Sequence, residues 1–334
     1  MPTKRTFILL LFVLISFLAG PLYGQQSPGS IIQQAEDIRT LRTLIVQKKG
    51  QILLKETFRG GGSDQPYNLK SASKSIISLL TGIAVDKGFI DSVETPISVY
   101  FEDYFRENPD PRKEAITVKD LLTMRTGLET TSFYNYGRWV ISDNWVEFQL
   151  NQPFEDVPGG DMVYSTGTTH LLSVIISKAS GMSTREFANR FMFGPMNITV
   201  GGWDKDPQGY YMGGNNLALS PNDLLKIGQM LLNGGIWEGE RILSTNWLQQ
   251  SFQIYTRSNF NPYDYGYLWW IIDRQNTPVI FAWGFGGQYL FMLPEYDAVV
   301  VITNSLANAT QRRSYKEPIF ELLEDEIIPF LTNE

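Results

Sequence analysis

Ser71-Ala72-Ser73-Lys74 sets a hydroxyl and an amine three residues apart. On a helix that spacing brings both side chains onto one face, about 5–6 Å between Cβ atoms, where the amine can accept the hydroxyl proton. The chemistry is nucleophilic attack by an activated serine, and it needs a lysine that is partly neutral. Burial beside an apolar helix face lowers a lysine pKa by desolvation; a solvated lysine stays charged and does nothing. Two residue types at one spacing arise about once by chance in a chain of this length, so position has to add weight. It does, because the pair opens the first apolar helical pattern directly after a strand pair. Free backbone N–H groups and the helix dipole there favour developing negative charge.

Rival chemistries are poorly served. The single histidine, His170, stands at the head of the HLLSVIIS pattern with no Gly-x-Ser-x-Gly nucleophile elbow to serve, so it is read as a packing residue. A zinc site wants several His, Cys or carboxylate ligands, and one His with no Cys argues for a metal-free, cofactor-free mechanism. Asp156 and Asp161, in a Gly-Pro-rich loop, are read as solvated turn formers.

The elements that must position the pair follow from periodicity. TLIVQ and QILLKETF flank Lys48-Lys49-Gly50 and predict a hairpin. SASKSIISLLTGIAVDKG has apolar residues at Ile76, Ile77, Leu80 and Ile83 or Ala84, a helical period that stops at Gly88. Helical patterns then dominate in VKDLLTMRTGL, HLLSVIISKASG, TREFANRFM and PNDLLKIGQMLLNGG. Strands return in YGYLWWIID, PVIFAWGF, GQYLFML and AVVVITN, with Pro294-Glu295-Tyr296-Asp297 as a turn and an amphipathic helix around IFELLEDEII to close. Strands at both ends must share one antiparallel sheet. The expected fold is α+β, with a sheet part at about 25–88 and 250–334 and an inserted helical subdomain at about 89–249, all in one folding unit. The aromatic cluster Tyr263, Tyr265, Tyr267, Trp269, Trp270 and Trp283 divides, by strand alternation, between core and cleft.

Several stretches, in order, resemble the serine β-lactamase and penicillin-binding-protein family with its related esterases and amide hydrolases. Its three elements are Ser-x-x-Lys, a Tyr-x-Asn-like loop and a Lys/His-Thr-Gly-like strand. Besides Ser71 to Lys74, the loop from Pro158-Gly159-Gly160 to Tyr164-Ser165-Thr166 is similar to the second element, with Thr166 where better-known members have Asn. Trp283-Gly284-Phe285-Gly286-Gly287-Gln288 is similar to the third, with Phe285 at the cationic position and Gly286 at the Thr. LLTMRTGL at 121–128, LLNGGIWEGERILS at 231–244 and the Gly-Tyr-Leu-Trp-Trp run at 266–270 extend the likeness.

The resemblance implies a β-lactamase/transpeptidase-like fold and an acyl-enzyme on Ser71. Lys74 and Tyr164 would be proton-transfer groups, general acid–base work of about 10²–10⁴-fold. The N–H groups of Ser71 and Gln288 would form the oxyanion hole, each donor being worth about 10²–10³ in rate. Trp283, Phe285, Gly286 and Gly287 would contact substrate, Gly287 letting the strand approach closely. Phe285 and the Tyr-Ser-Thr loop look closer to the family's esterase and 6-aminohexanoate-oligomer hydrolase members than to its antibiotic-resistance enzymes. That reading predicts small-molecule or peptide-like ester and amide substrates with uncharged ends, Trp283 and Tyr289 extending the apolar surface. Two alternatives stand beside it. One is a D,D-carboxypeptidase or β-lactamase, if Arg312, Arg313 or Lys316 supplied the missing cation; the other is a catalytically silent binding module.

The first 24 residues, a basic start, an apolar run and Leu-Tyr-Gly, read as a secretory signal peptide, leaving residues 25–334 as one serine hydrolase domain exported to the periplasm or medium. An uncleaved anchor is the rival reading, Phe7 to Leu18 plus flanks nearly reaching the roughly 20 residues of a spanning helix; without it no membrane association is expected. Net charge is −7 and falls by two more when Lys4 and Arg5 leave, with the remaining basic residues scattered, which excludes a nucleic-acid partner. Asn197 and Asn308 begin glycosylation patterns that matter only in a eukaryotic secretory pathway.

Overall fold

The computed structural model describes residues 27–274, 277–307 and 316–334. The leader, Asn308, Arg312 and Arg313 lie outside the described residues. No helix among the described residues is long and apolar enough to cross a membrane.

Leu41–Lys48 (β1) and Gln51–Thr57 (β2) pair as the expected hairpin. Its turn puts Lys49 and Gly50 at positive φ, 49° and 77°, the geometry that a tight hairpin turn demands. The last third supplies Thr256–Arg257 (β3), Asp264–Tyr265 (β4), Trp270–Ile272 (β5), Val279–Gly284 (β6), Gln288–Leu293 (β7) and Ala298–Asn304 (β8). All eight strands form one sheet in the order β2-β1-β8-β7-β6-β5-β4-β3, antiparallel throughout. The first hairpin therefore docks on the last strand, β1 against β8 from Leu41↔Asn304 to Lys48↔Ala298.

Every residue of β7 and β8 is buried, as unbroken apolar runs require when helices cover both faces of a sheet. Pro221–Leu232 (α4) covers one face, so closely that a Cβ on Gly228 would meet Val299. Phe320, from the C-terminal helical turn Glu317–Glu321, covers the other, edge-on to Tyr289 and Phe291. Between sheet halves the chain forms Ser73–Asp86 (α2) and Thr166–Ser180 (α3), where His170 lies inside α3 rather than at its start. Gly181, left-handed at φ 70°, ends α3 as glycine commonly does at a helix C-terminus.

Candidate active site

Ser71 sits in a 3₁₀ turn, Lys70–Ala72, that leads into α2. Two features hold that turn. The Leu69 N–H donates to the Leu217 carbonyl at 2.8 Å, and β6 abuts it so tightly that a Cβ on Gly284 would overlap the Leu69 carbonyl oxygen. Gly284 is thus the close-approach glycine of the site. Lys70 takes a left-handed φ of 50°, which costs a non-glycine residue roughly 1 kcal/mol, and the Asn68 side-chain oxygen offsets this by accepting the Lys70 N–H at 2.9 Å.

Lys74 follows one turn later and is 1% exposed. Its Nζ donates to the Gly214 carbonyl at 2.6 Å and to Thr166 Oγ1 at 3.2 Å, and lies 5.1 Å from the centre of the Tyr164 ring. Among the described residues no carboxylate comes within 4.0 Å of it. Burial without a countercharge pushes the amine down to about 7. Ser71, which lines the cavity described below, forms no hydrogen bond through Oγ with another described residue.

The partners of Lys74 are themselves fixed. Thr166 opens α3; its N–H donates to Ser132 Oγ at 2.9 Å, and the two hydroxyls lie 2.8 Å apart. A Cβ on Gly214 would overlap the Thr166 carbonyl. Behind this layer His170 and Asp206 are fully buried, Nε2 to Oδ2 2.9 Å, while Nδ1 accepts the Gly213 N–H at 3.3 Å. That bonding places the ring proton on Nε2.

Above Lys74 opens a cavity of about 640 Å³ that Ser71, Ser132, Tyr164, Thr166 and Phe285 help to line. A side lobe of about 150 Å³ is walled by Phe133, Phe260, Trp270, Trp283 and Phe285 beside Ser71. Tyr164 stacks on Trp270 at 5.8 Å and meets Phe260 edge-on at 5.5 Å, so its ring is part of the lobe as well as the roof over Lys74.

The structure therefore brings Ser71, Tyr164, Phe285 and Trp283 to one cavity with Lys74 beneath it. It refines some expectations and corrects others. Gly286 and Gly287 form the β6–β7 turn, at φ 82° and 94°, rather than a strand edge; their conformation requires glycine, and at Gly287 the Asn304 amide leaves no room for a side chain. Gln288 opens β7 with its side chain buried and paired to the Asn304 backbone at 2.9 and 3.2 Å, which fixes the adjoining peptide. Tyr289 points into the core, 1% exposed, and does not extend the cleft. Of the aromatic cluster, Tyr263, Tyr265, Tyr267 and Trp269 are core residues, and Trp270 joins Trp283 in the lobe. Lys316 lies over the Tyr263 and Trp283 rings, at 5.1 and 5.7 Å, and lines neither the cavity nor its lobe itself. Asp156 accepts the Val157 and Asp161 N–H groups at 2.7 and 2.6 Å, which is turn chemistry.

Sequence reasoning passed over Lys70, Ser132, Gly214 and Asn215. Lys70 borders Ser71 and is the one with a signal, a second amine in the same turn; Ser132 and Asn215 sit in aperiodic loops.

The family model described as Beta-lactamase matches residues 32–324. A 6-aminohexanoate-dimer hydrolase of Paenarthrobacter ureafaciens is 24% identical over 309 residues, 82% of this chain and 74% of that protein. Among solved structures, a Bacillus anthracis protein assigned as a 6-aminohexanoate-dimer hydrolase superposes with a TM-score of 0.75 at 18% identity, covering 90% of this chain and 81% of that one. EstCE1, a hydrolase with promiscuous acyltransferase activity, gives a TM-score of 0.72 at 15% identity, covering 89% of this chain and 99% of its own.

Proposed function

The chain belongs to the beta-lactamase family of serine hydrolases, and on that premise we propose that it cleaves an ester or amide bond through an acyl-enzyme on Ser71. The carrying observation is Lys74, an amine held near neutrality by burial, one helical turn after Ser71 and directly behind the cavity-lining Thr166 and Tyr164. In its neutral form it takes the Ser71 proton as Oγ adds to the substrate carbonyl. The ammonium so formed is stabilised by the Gly214 carbonyl and Thr166 Oγ1, and Tyr164, whose ring lies over it, passes the proton to the departing alkoxide or amine. Water then enters, gives a proton back along the same path, and releases the acid. Backbone N–H groups of Ser71 and Gln288 are the oxyanion donors in this reading.

Ester and amide substrates are favoured over β-lactams by the aromatic lobe and by the relatives named as a 6-aminohexanoate-dimer hydrolase and as EstCE1. The basic and apolar leader supports export, with Ser71 working outside the cytoplasm. The test is intact-mass analysis after a fluorophosphonate, which should give a single adduct that Ser71→Ala lacks. In parallel, p-nitrophenyl butyrate and aminohexanoate dimer should be turned over faster than a chromogenic cephalosporin or a D-Ala-D-Ala peptide. An adduct retained in Ser71→Ala refutes the nucleophile, and a faster cephalosporin or D-Ala-D-Ala peptide refutes the substrate class.

A further inference from the structure

Phe285 stands where the family resemblance expects a cation, yet among the described residues a lysine other than Lys74 does line the cavity. Lys70 precedes Ser71, and its left-handed backbone accompanies a side chain on the cavity wall with Asn215 and Tyr136. Its Nζ donates to Asn216 Oδ1 at 3.2 Å; Asn216, also left-handed at φ 61°, donates its amide to Asp204 Oδ2 at 2.8 Å, and Asn68 donates to the same Asn216 oxygen at 3.2 Å. Two strained residues and three hydrogen bonds thus hold one ammonium in place. Among the described residues Asn216 is the one hydrogen-bond partner of Nζ, and no carboxylate lies within 4.0 Å of it. An ammonium has three donors, so two remain for a ligand. Burial lowers its pKa while Asp204, reached through Asn216, favours the charged form.

We propose that Lys70 is a specificity-determining residue that binds a carboxylate on the substrate, so that the preferred ester or amide is amphipathic. Its apolar part occupies the lobe of Phe260, Trp270, Trp283 and Phe285, and its carboxylate sits across Ser71 against Lys70. The inference rests on Ser71 as nucleophile. It replaces the expectation of uncharged-ended substrates, which did not take Lys70 into account.

Two matched ester pairs test it. 4-Carboxyphenyl against 4-carbamoylphenyl butyrate places the charge on the leaving group; p-nitrophenyl hydrogen glutarate against its terminal amide places it on the acyl group. A hydrogen-bonded charge pair should favour the carboxylated member by about tenfold in kcat/KM, mainly through KM, in at least one pair. Lys70→Gln should lower that ratio about tenfold relative to wild type, and Lys70→Arg should keep most of it. An unchanged ratio in Lys70→Gln for both pairs overturns the proposal. Wild-type inhibition needs no variant: butyrate should inhibit several-fold more tightly than butyramide, and equal inhibition likewise overturns it. Ser71→Ala separates the two readings. If it retains turnover of all four esters the nucleophile is wrong, whereas Ser71-dependent activity with a Lys70-independent ratio defeats the carboxylate alone.

Discussion

Two lysines flank Ser71, one residue before it and three after, and their surroundings differ in what sets a charge. Lys74 is 1% exposed, bonded to a carbonyl and a hydroxyl, with desolvation as the cause of its lowered pKa. Lys70 is half-buried on the cavity wall, and the Asp204 carboxylate opposes its desolvation from the far side of an amide. In the proposed reaction desolvation without a countercharge suits Lys74 to act as a base, whereas at Lys70 the lowering by burial is opposed by a carboxylate one residue removed. The same side chain is thus proposed for two jobs, and variants of the two lysines and of the residues around them separate those jobs.

The largest effect is expected from Lys74→Met. If Lys74 is the proton acceptor proposed above, its loss should cut kcat on the order of 10³-fold or more. Stability should move the other way as pH falls. In the folded protein Lys74 titrates near 7, against 10.5 unfolded, so between those values the unfolded chain holds a proton that the folded protein lacks. Stability of the wild type therefore rises with pH across that window, and the buried amine costs most at pH 7 and below. Methionine removes this term, so the stability of Lys74→Met minus that of wild type should shrink between pH 7 and pH 10 by on the order of a few kcal/mol. Denaturant melts at the two pH values read the difference; a pH-independent gap would mean that Lys74 stays charged in the fold.

Tyr164→Phe keeps the stack on Trp270 and removes only the hydroxyl, so a loss of about 10²–10⁴ in kcat would mark it as a proton carrier. Near-wild-type turnover would reduce Tyr164 to a wall of the lobe and a cover for Lys74. A smaller effect is the pH profile: kcat/KM for a neutral ester should fall about tenfold per unit below pH 7 as Lys74 gains its proton, and be level above. That limb belongs to Lys74 and should persist in Lys70→Gln; a limb that disappears there would assign the base to the wrong lysine.

Much of this was legible in advance. The β1–β2 hairpin, the late strands and α2 announce themselves through period-two and period-3.6 patterns, and the pairing of both chain ends follows from strands that need partners. Ser71, Lys74 and Tyr164 carry spacing or loop signals. What stayed hidden depends on close approach between distant segments. Gly284 reads as one glycine among several, and only the Leu69 carbonyl against it reveals why a side chain is forbidden. Tyr289 reads as a cleft aromatic because alternation cannot say which face Phe320 covers. Lys70 as a cavity cation requires Asn216, 146 residues away, to be in place.

The smallest catalytic effect should come from His170→Gln, which probes the layer beneath Lys74. His170 packs edge-on against Trp139 and Trp145, with ring centres 5.8 and 5.5 Å away, and links Asp206 to the Gly213 N–H. Glutamine can reach Asp206 with its terminal amide, but it places no acceptor where Nδ1 stood, so the Gly213 N–H is left buried and unpaired at a cost of about 1–3 kcal/mol. Gly214, the next residue, carries the carbonyl that holds Lys74 at 2.6 Å, and relaxation of this segment should loosen that contact. Stability should accordingly fall by about 1–3 kcal/mol while kcat falls less than about tenfold. The rate limb should remain governed by Lys74, its displacement in pH reporting whether water admitted to the amine or the weakened Gly214 contact has the larger effect. Thermal melts, single-substrate kinetics and the profile between pH 5 and 9 measure all three. A folded His170→Gln protein with no activity at any pH would make His170 the general base and end the Ser71–Lys74 assignment.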